Sequence, residues 1–476
     1  MNSCSFVCIR GQNGFWWWLT QFWRCSPKRY KLFAIMTIRL LRRSVAFLLA
    51  TLVSTSILVA QSKRPLRHTD YDAWRNIISQ KLSADGNFLV YGLFPQEGDG
   101  EVIVRNLKSG AEWREPAGAR PEPPRPNQAA LVEEEPPLQP TITVHFTPDH
   151  RFVVFSTFPT KAEVDKAKKE KKKPDEMPKG GLVIMDLASG APTRIAQIKS
   201  FRVPEKAGAV VAYLKAEKPS PAGAKGSAKE NEAATTENAA ESTGKKPEKK
   251  KEYGSELVLR NTATGKEHNY ADVLDYALSK DGGVLVYSVS SRQEESNGIF
   301  AVNTASDDVA PRALLQGRGK YTKLAFDEQQ TQLAFLSDRD DAASKQPKFK
   351  LYLWQREAAS PVELASASTP GLQEGTEISD KGSISFSRDG KRIFFGCAKS
   401  PRPEKDSDKA IAEDDKVAVD LWHWKDDYIQ PMQKVRAEVE KTRTFRAVYH
   451  IPEKTLVQLA DRTMSEIVPS EDGLWA

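Results

Sequence analysis

The stretch "LSADGNFLVYGLF", Leu82 to Phe94, decides the fold because it recurs. Look-alikes run from Phe146 ("FTPDHRFVVFSTF"), Leu278 ("LSKDGGVLVYSVS"), Phe326 ("FDEQQTQLAFLSD") and Phe386 ("FSRDGKRIFFGCA"). A degenerate copy, "VPEKAGAVVAYLK", starts at Val203, and "VPSEDGLWA" from Val468 is a seventh. Each copy reads the same way. An apolar residue ends a strand, a Ser-x-Asp-Gly tight turn follows, and a strand rich in Val, Phe, Tyr and Leu begins. In the turn, Asp bonds its own backbone and Gly accepts positive φ.

Several copies continue into a further strand, such as "EVIVRNLKSG", "GLVIMDLASG" and "SELVLRNTATG", and then through a second turn into a short fourth strand such as "AEWREP". The unit is therefore one four-stranded antiparallel sheet. Counted from Ser83, Thr147, Val203, Ser279, Asp327, Ser387 and Ser470, the spacings are 64, 56, 76, 48, 60 and 83 residues. A bare propeller blade takes about 40–50 residues, so the surplus is loop. Sheets of this size cannot bury both faces alone, and radial stacking solves that problem. The expected fold is all-β, a β-propeller of about seven four-stranded blades with charged, disordered or helical inserts. A β-sandwich is the alternative, and the repetition of the whole unit favours the propeller. After Gly473 only three residues remain, so the seventh blade is expected to be incomplete and the chain to be a fragment.

The formal net charge is +7, but eight cations and no acids lie in the first 60 residues, which leaves −1 for residues 61–476. That balance argues against nucleic acid as a partner. From Met36, "MTIRLLRRSVAFLLATLVSTSILVAQS" has Arg39, Arg42 and Arg43 ahead of an uncharged stretch from Ser44 to Ala60. Residues 36–60 thus read as a signal peptide, with export to the periplasm or the medium; only if the signal is retained does the chain meet a membrane. Residues 1–35, with three consecutive tryptophans and three of the four cysteines, read as a mis-assigned upstream extension. The remaining cysteine, Cys397, reads as a strand residue.

Three lysine-rich inserts, 161–179, 216–252 and 399–416, fall between the second and third strands of their blades and read as solvated loops. The proline-rich stretch Pro116 to Pro140 reads as an extended connector between the first two blades. There is no G-x-S-x-G, H-E-x-x-H, C-x-x-C or P-loop. The six histidines, His68, His145, His150, His268, His423 and His450, share no metal-ligand spacing, and the acid pairs Asp340–Asp341 and Asp426–Asp427 read as solvated. No catalytic, cofactor or metal residue is therefore assigned. In "VDLWHWKDDYIQPMQ", Trp422 and Trp424 alternate with Leu421 and His423. As a strand, both tryptophans face one side and pack between blades; a ligand or domain-docking surface is the other reading.

Two stretches carry a resemblance. "DYDAWRNIISQKLSADGNFLVYGLFPQEGDGEVIVRNLKSGAEW", Asp70 to Trp113, resembles the start of exported bacterial serine peptidases of the prolyl oligopeptidase family. "DLWHWKDDYIQPMQKVRAEVEKTRTFRAVYHIPEKTLVQLAD", Asp420 to Asp461, resembles a later propeller segment of the same proteins. The resemblance implies an N-terminal propeller that restricts access to an α/β-hydrolase domain bearing Ser, Asp and His. None of those catalytic positions exists in this chain, so peptide substrates are implied only through a domain it lacks. The Asp-Gly repeats alone also resemble periplasmic propellers of the Tol system, which implies, as the alternative, a stand-alone module that binds a protein or peptide.

Overall fold

The computed structural model describes residues 67–72, 74–122, 140–172, 176–216, 252–305, 310–344, 346–400 and 421–475. The extension 1–35, the signal segment 36–60 and most of the inserts 216–252 and 399–416 lie outside them. The chain divides into two compact units, Met1–Asp70 and Tyr71–Ala476, and every sheet belongs to the second.

Six consecutive four-stranded antiparallel meanders follow one another along that unit. Blade one is β1 (Arg75–Leu82), β2 (Phe88–Pro95), β3 (Asp99–Asn106) and β4 (Glu112–Ala119). Blade two is β5 (Val144–Phe146), β6 (Phe152–Ser156), β7 (Leu182–Asp186) and β8 (Pro192–Ile195). Blades three and four share a long strand: β9 (Ile198–Arg202), β10 (Val210–Lys215), β11 (Ser255–Asn261) and β12 (Glu267–Leu278) lead into β13 (Val284–Val289), β14 (Gly298–Asn303) and β15 (Arg312–Gln316). The first part of β12 closes blade three against β11, and its second part opens blade four against β13. Blade five is β16 (Tyr321–Phe326), β17 (Gln332–Ser337), β18 (Lys350–Gln355) and β19 (Val362–Ala365). In blade six, β20 (Thr376–Ile378) and β21 (Ser385–Phe386) both pair with β22 (Arg392–Lys399), followed by β23 (Phe445–His450) and β24 (Thr455–Gln458).

The strands alternate between two interfaces, as radial stacking requires. In β10, Val210, Ala212 and Leu214 enter the core between blades three and four, while Val211 and Tyr213 enter the core between blades two and three. In β17, Leu333 and Phe335 face blade four, and Ala334 and Leu336 face blade six. Five such cores join the six sheets in sequence order. A side-chain period of two, apolar at every position, is what a sheet buried on both faces demands.

The first strands of the blades also meet in series. The Lys81 amino group of β1 donates to the Val144 carbonyl of β5 at 3.1 Å. His145 of β5 and Phe201 of β9 pack edge to face at 5.8 Å, and Ser200 of β9 bonds the Tyr276 hydroxyl of β12 at 3.2 Å. Beyond that, β12 runs against β16 and β16 against β21. This inner wall of first strands, with the meanders fanning away from it, is the architecture of a β-propeller.

The Ser-x-Asp-Gly turns share one hydrogen-bond plan. At Ser279 the backbone N–H donates to Val284 O (2.9 Å), the hydroxyl accepts Val284 N–H (2.9 Å), and the hydroxyl proton goes to the Asp281 carboxylate. Asp281 in turn accepts Gly283 N–H, and Gly282 sits at φ +66°. Ser83, Thr147, Ser387 and Ser470 repeat this pattern, and in blade five Asp327 supplies both acceptor roles itself. The turns are linked from blade to blade. Glu205 and Lys206 N–H donate to Lys280 O, Lys280 N–H to the Gln330 side chain, and Arg388 N–H to Glu471 O. At the seventh position only this turn is formed among the described residues, with no strand on either side of it.

Along the chain, insert 161–179 lies between β6 and β7, 216–252 between β10 and β11, and 399–416 between β22 and β23. The first of these forms helix α1 (Lys161–Lys169), started by a capping box between Thr160 and Glu163. The reading of Pro116–Pro140 as connector needs correction at its start. Pro116 to Ala119 complete β4, because Pro116 and Gly118 pair with Glu101 and Gly100 across a bulge. Residues 123–139 lie outside the described part.

Candidate functional site

The inner wall of first strands carries several charged side chains. Several cations on the third and fourth strands are paired: Arg114 with Glu101 and Glu112, Arg194 with Glu115, Arg260 with Glu267, and Lys350 with Asp340 and Glu363. The Arg194–Glu115 pair is bidentate, at 2.7–3.0 Å, and bridges blades one and two with the carboxylate buried. On the first strands, Arg75 of β1 pairs with Glu101 at 2.8 Å, whereas Lys199, Arg202 and Lys323 have no ion-pair partner among the described residues and Lys81 donates to the Val144 carbonyl.

These groups converge. Half-buried Asp275 lies in the field of Arg202, Lys323 and Lys199, which come from blades three and five on either side of it. Burial pushes the Asp275 carboxyl up; the Tyr276 amide (2.9 Å) and the three cations oppose the rise without cancelling it. His145 lies in the field of Lys81, Glu205 and Arg202. Burial holds its imidazole below the ordinary range, Lys81 and Arg202 push the same way, and Glu205 opposes them. Arg202 thus acts on both groups. The cluster therefore holds both signs of charge, with Asp275 and Glu205 among the cations.

Bulges put them there. The register of β1 against β2 slips between Ile78 and Lys81, with Ser79 at φ +53°. That of β16 against β17 slips between Thr322 and Ala325, with Lys323 itself at φ +61°. That of β12 against β13 slips between Val273 and Asp275, beside Asp272 at φ +56°. A bulge re-aims the side chains next to it, and a non-glycine residue at positive φ is strained. The sequence reading assigned no site residue and passed over this cluster. One signal was available: Lys81 and His145 lie two residues before their turn residue, and Lys199, Asp275 and Lys323 lie four before theirs.

The other groups weighed from the sequence are structural. Asp340 accepts from Arg339, Lys350 and the Tyr352 hydroxyl; the Lys350 bond, against the effect of burial and with help from the other two, holds its carboxyl down at about 2. Asp341 accepts Lys348 N–H, and Asp426 accepts His423 N–H and the Gln433 amide. Cys397 is buried in β22, and burial raises its thiol to about 11. Among the described residues no cluster of His, Cys, Asp and Glu could hold a metal ion.

The expectation that Trp422 and Trp424 pack between blades is overturned. Residues 421–429 form no strand, and the two rings are 58% and 84% exposed. The Asp426 bonds close a turn there, Lys425 N–H donates to His423 Nδ1, and Pro431 in the first turn of helix α2 (Gln430–Lys441) starts a helix instead. The segment stands out from blade six with Leu421 and Ile429 also exposed.

No protein-family model matches this chain, and no curated protein matches it. Solved structures that resemble it include the β-propeller domain of the trilobed protease from Pyrococcus furiosus, at 9% identity and TM-score 0.30 over 68% of this chain and 80% of that one. Prolyl oligopeptidase B from Galerina marginata matches at 11% and 0.31, over 69% of this chain. A eukaryotic initiation factor matches at 11% and 0.34, over 81% of this chain and 77% of that one. The chain spans only 39% of prolyl oligopeptidase B. Superpositions this loose carry no residue onto a known active site. The propeller assignment rests on the sheets, cores and inner strands themselves.

Proposed function

We propose that this chain is the propeller portion of an exported serine peptidase of the prolyl oligopeptidase family, and that it governs which peptides reach a hydrolase domain supplied by further sequence. The observation that carries the reading is Asp70–Trp113. This stretch resembles the start of that family, and from Arg75 it folds as the first of six successive blades. The charged inner wall fits a filtering role, since first strands are what a peptide passing through a propeller touches. The chain alone is inactive in this reading, because its sequence holds no G-x-S-x-G segment.

The test is the gene's reading frame beyond codon 476. The reading expects a G-x-S-x-G segment followed by Asp and His, and a full-length product that a fluorophosphonate probe labels at that serine. A frame that continues into an unrelated domain, or stops at once in the native gene, refutes it. Peptide hydrolysis by the purified 476-residue chain would refute the inactivity. Export is tested by fusing residues 36–62 to alkaline phosphatase, which is active only outside the cytoplasm; an inactive fusion removes that part of the proposal.

A further inference from the structure

We infer that residues 421–429 are the contact between two copies of this chain, paired about a two-fold axis. Three observations carry this. The first is size. Leu421, Trp422, Trp424, Tyr428 and Ile429 are exposed by between 43% (Tyr428) and 88% (Leu421), and none of them belongs to any of the five cores. Together they offer about 700 Å² to solvent, more than the largest apolar patch usual on a monomer and close to the roughly 800 Å² that each partner gives to a specific interface. The second is that the rings are held out in a fixed frame. Asp426 accepts the His423 amide at 2.9 Å and the Gln433 side chain at 3.0 Å. Gln433 also donates to the Tyr428 carbonyl at 2.7 Å, and Arg436 of helix α2 lies over the Tyr428 ring at 4.4 Å. A surface already fixed in shape loses little freedom on binding. The third is charge. Lys425 lies over the Trp424 ring at 5.0 Å, while exposed Asp427 has no ion-pair or hydrogen-bond partner among the described residues. With Asp426 taken up inside the turn, the face presents one free charge of each sign.

A face with those properties fits itself. In a two-fold contact the same surface meets its own copy, so that residue i of one chain touches residue j of the other and the reverse. Lys425 of each copy then meets Asp427 of its partner, at the rim of a core made by the two pairs of tryptophans, and Trp is the residue type that most often anchors such cores. A bilayer surface fits less well. Segments that lie on anionic lipid carry an excess of Lys and Arg, and residues 421–429 hold one lysine against two aspartates. This inference rests on the segment alone and not on the peptidase reading, so the reading-frame test can fail without touching it.

The experiment is sedimentation equilibrium of the full 476-residue chain. A dimer is expected at about 100 μM, since interfaces of this size bind in the micromolar range or tighter. W422S/W424S should weaken the dimer at least about tenfold. It should melt no lower than the wild-type monomer, because both rings stand in water in the single chain. Association through any other part of the chain survives in that variant and is told apart by it. K425E and D427K should each weaken the dimer severalfold, because each sets like charges against one another across the axis. An equimolar mixture of the two should recover it, since every charge then meets its opposite; a role for Lys425 and Asp427 within one chain predicts no such recovery. A wild-type chain that is monomeric at that concentration, a W422S/W424S chain that associates as wild type does, or a mixture as weak as its components overturns the proposal. So does a monomer that co-sediments with phosphatidylglycerol vesicles, which would make the segment a membrane contact.

Discussion

Replacing Ser279 by alanine tests whether the turn serines, rather than the glycines, hold the blades together. Ser279 is fully buried. The substitution removes two bonds at once: the one its oxygen accepts from Val284 N–H at 2.9 Å and the one its proton makes to Asp281. The first is neutral and contributes about 1 kcal/mol; the second is charge-assisted and contributes about 1.5 kcal/mol or more. Asp281 keeps Arg356 and Gly283 as donors, so its loss falls at the low end. The Val284 amide lies at a buried turn, and leaving it unmatched adds a desolvation cost. The sum is about 2–3 kcal/mol. Ser470→Ala removes the same two bonds, Trp475 N–H to its oxygen and its proton to Asp472, at an exposed turn where water replaces them. There the expected loss is under about 1 kcal/mol. Urea unfolding measures both: the midpoint should fall clearly for S279A and barely for S470A, at constant m. If the two variants lose the same stability, the buried serine is not what fixes the turn.

Asp281 is held at about 2 although burial opposes it, by the Ser279 hydroxyl, the Arg356 guanidinium at 2.6 Å and the Gly283 amide. Its folded value lies below the ordinary 3.8, so its contribution is complete above about pH 4 and is lost as pH falls towards 2. Acid unfolding curves should therefore be flatter over that window in D281N, and an unchanged slope would contradict the assignment. Gly86 and Gly282 have the same positive φ, but a Cβ at Gly86 meets nothing, while at Gly282 it meets Ala207 O and the Pro204 ring at 2.8 Å. Gly86→Ala should cost about 1 kcal/mol, and Gly282→Ala clearly more; equal losses by thermal melting would mean that the turns of blades three and four do not interlock. Cys397 should resist a thiol reagent at pH 8 until the protein unfolds, because it is buried and its thiol is raised to about 11; rapid labelling of the folded chain would show that the blade-six core opens.

Most of the fold was legible because it is written locally. Ser-x-Asp-Gly closes within six residues, and its bonds need nothing from elsewhere in the chain, so the pattern survives in a single sequence. The second repeated turn is equally local. Asn106, Asp186 and Asn261 each cap two amides and put a glycine at positive φ four residues on. Blade three was legible only as a degenerate copy because its turn is not self-sufficient. Val203 has no hydroxyl to accept a bond, and the segment uses the Lys280 carbonyl of blade four in its place. Trp422 and Trp424 misled for a related reason. Alternation over four residues describes a strand only if a neighbouring strand is there to pair with it, and Asp426 and Pro431 decide the segment before any such pairing. The inner cluster was legible only through its fixed offsets from the turn residues, since Lys199, Arg202, Asp275 and Lys323 are spread over 125 positions and each alone is an ordinary polar residue on a strand.

That cluster is also where the chain departs from its own rules. Elsewhere the faces alternate between five cores, and the buried turns satisfy their own amides. The inner strands hold unmatched cations, a half-buried carboxylate and three of the non-glycine residues at positive φ, Ser79, Asp272 and Lys323. Nothing about closing or stacking sheets asks for this. Ser385 of β21 occupies the position that Lys81 and His145 take in β1 and β5, so an uncharged residue fits there. A fold that is consistent at every level elsewhere and inconsistent along one surface has that surface under a different constraint from stability.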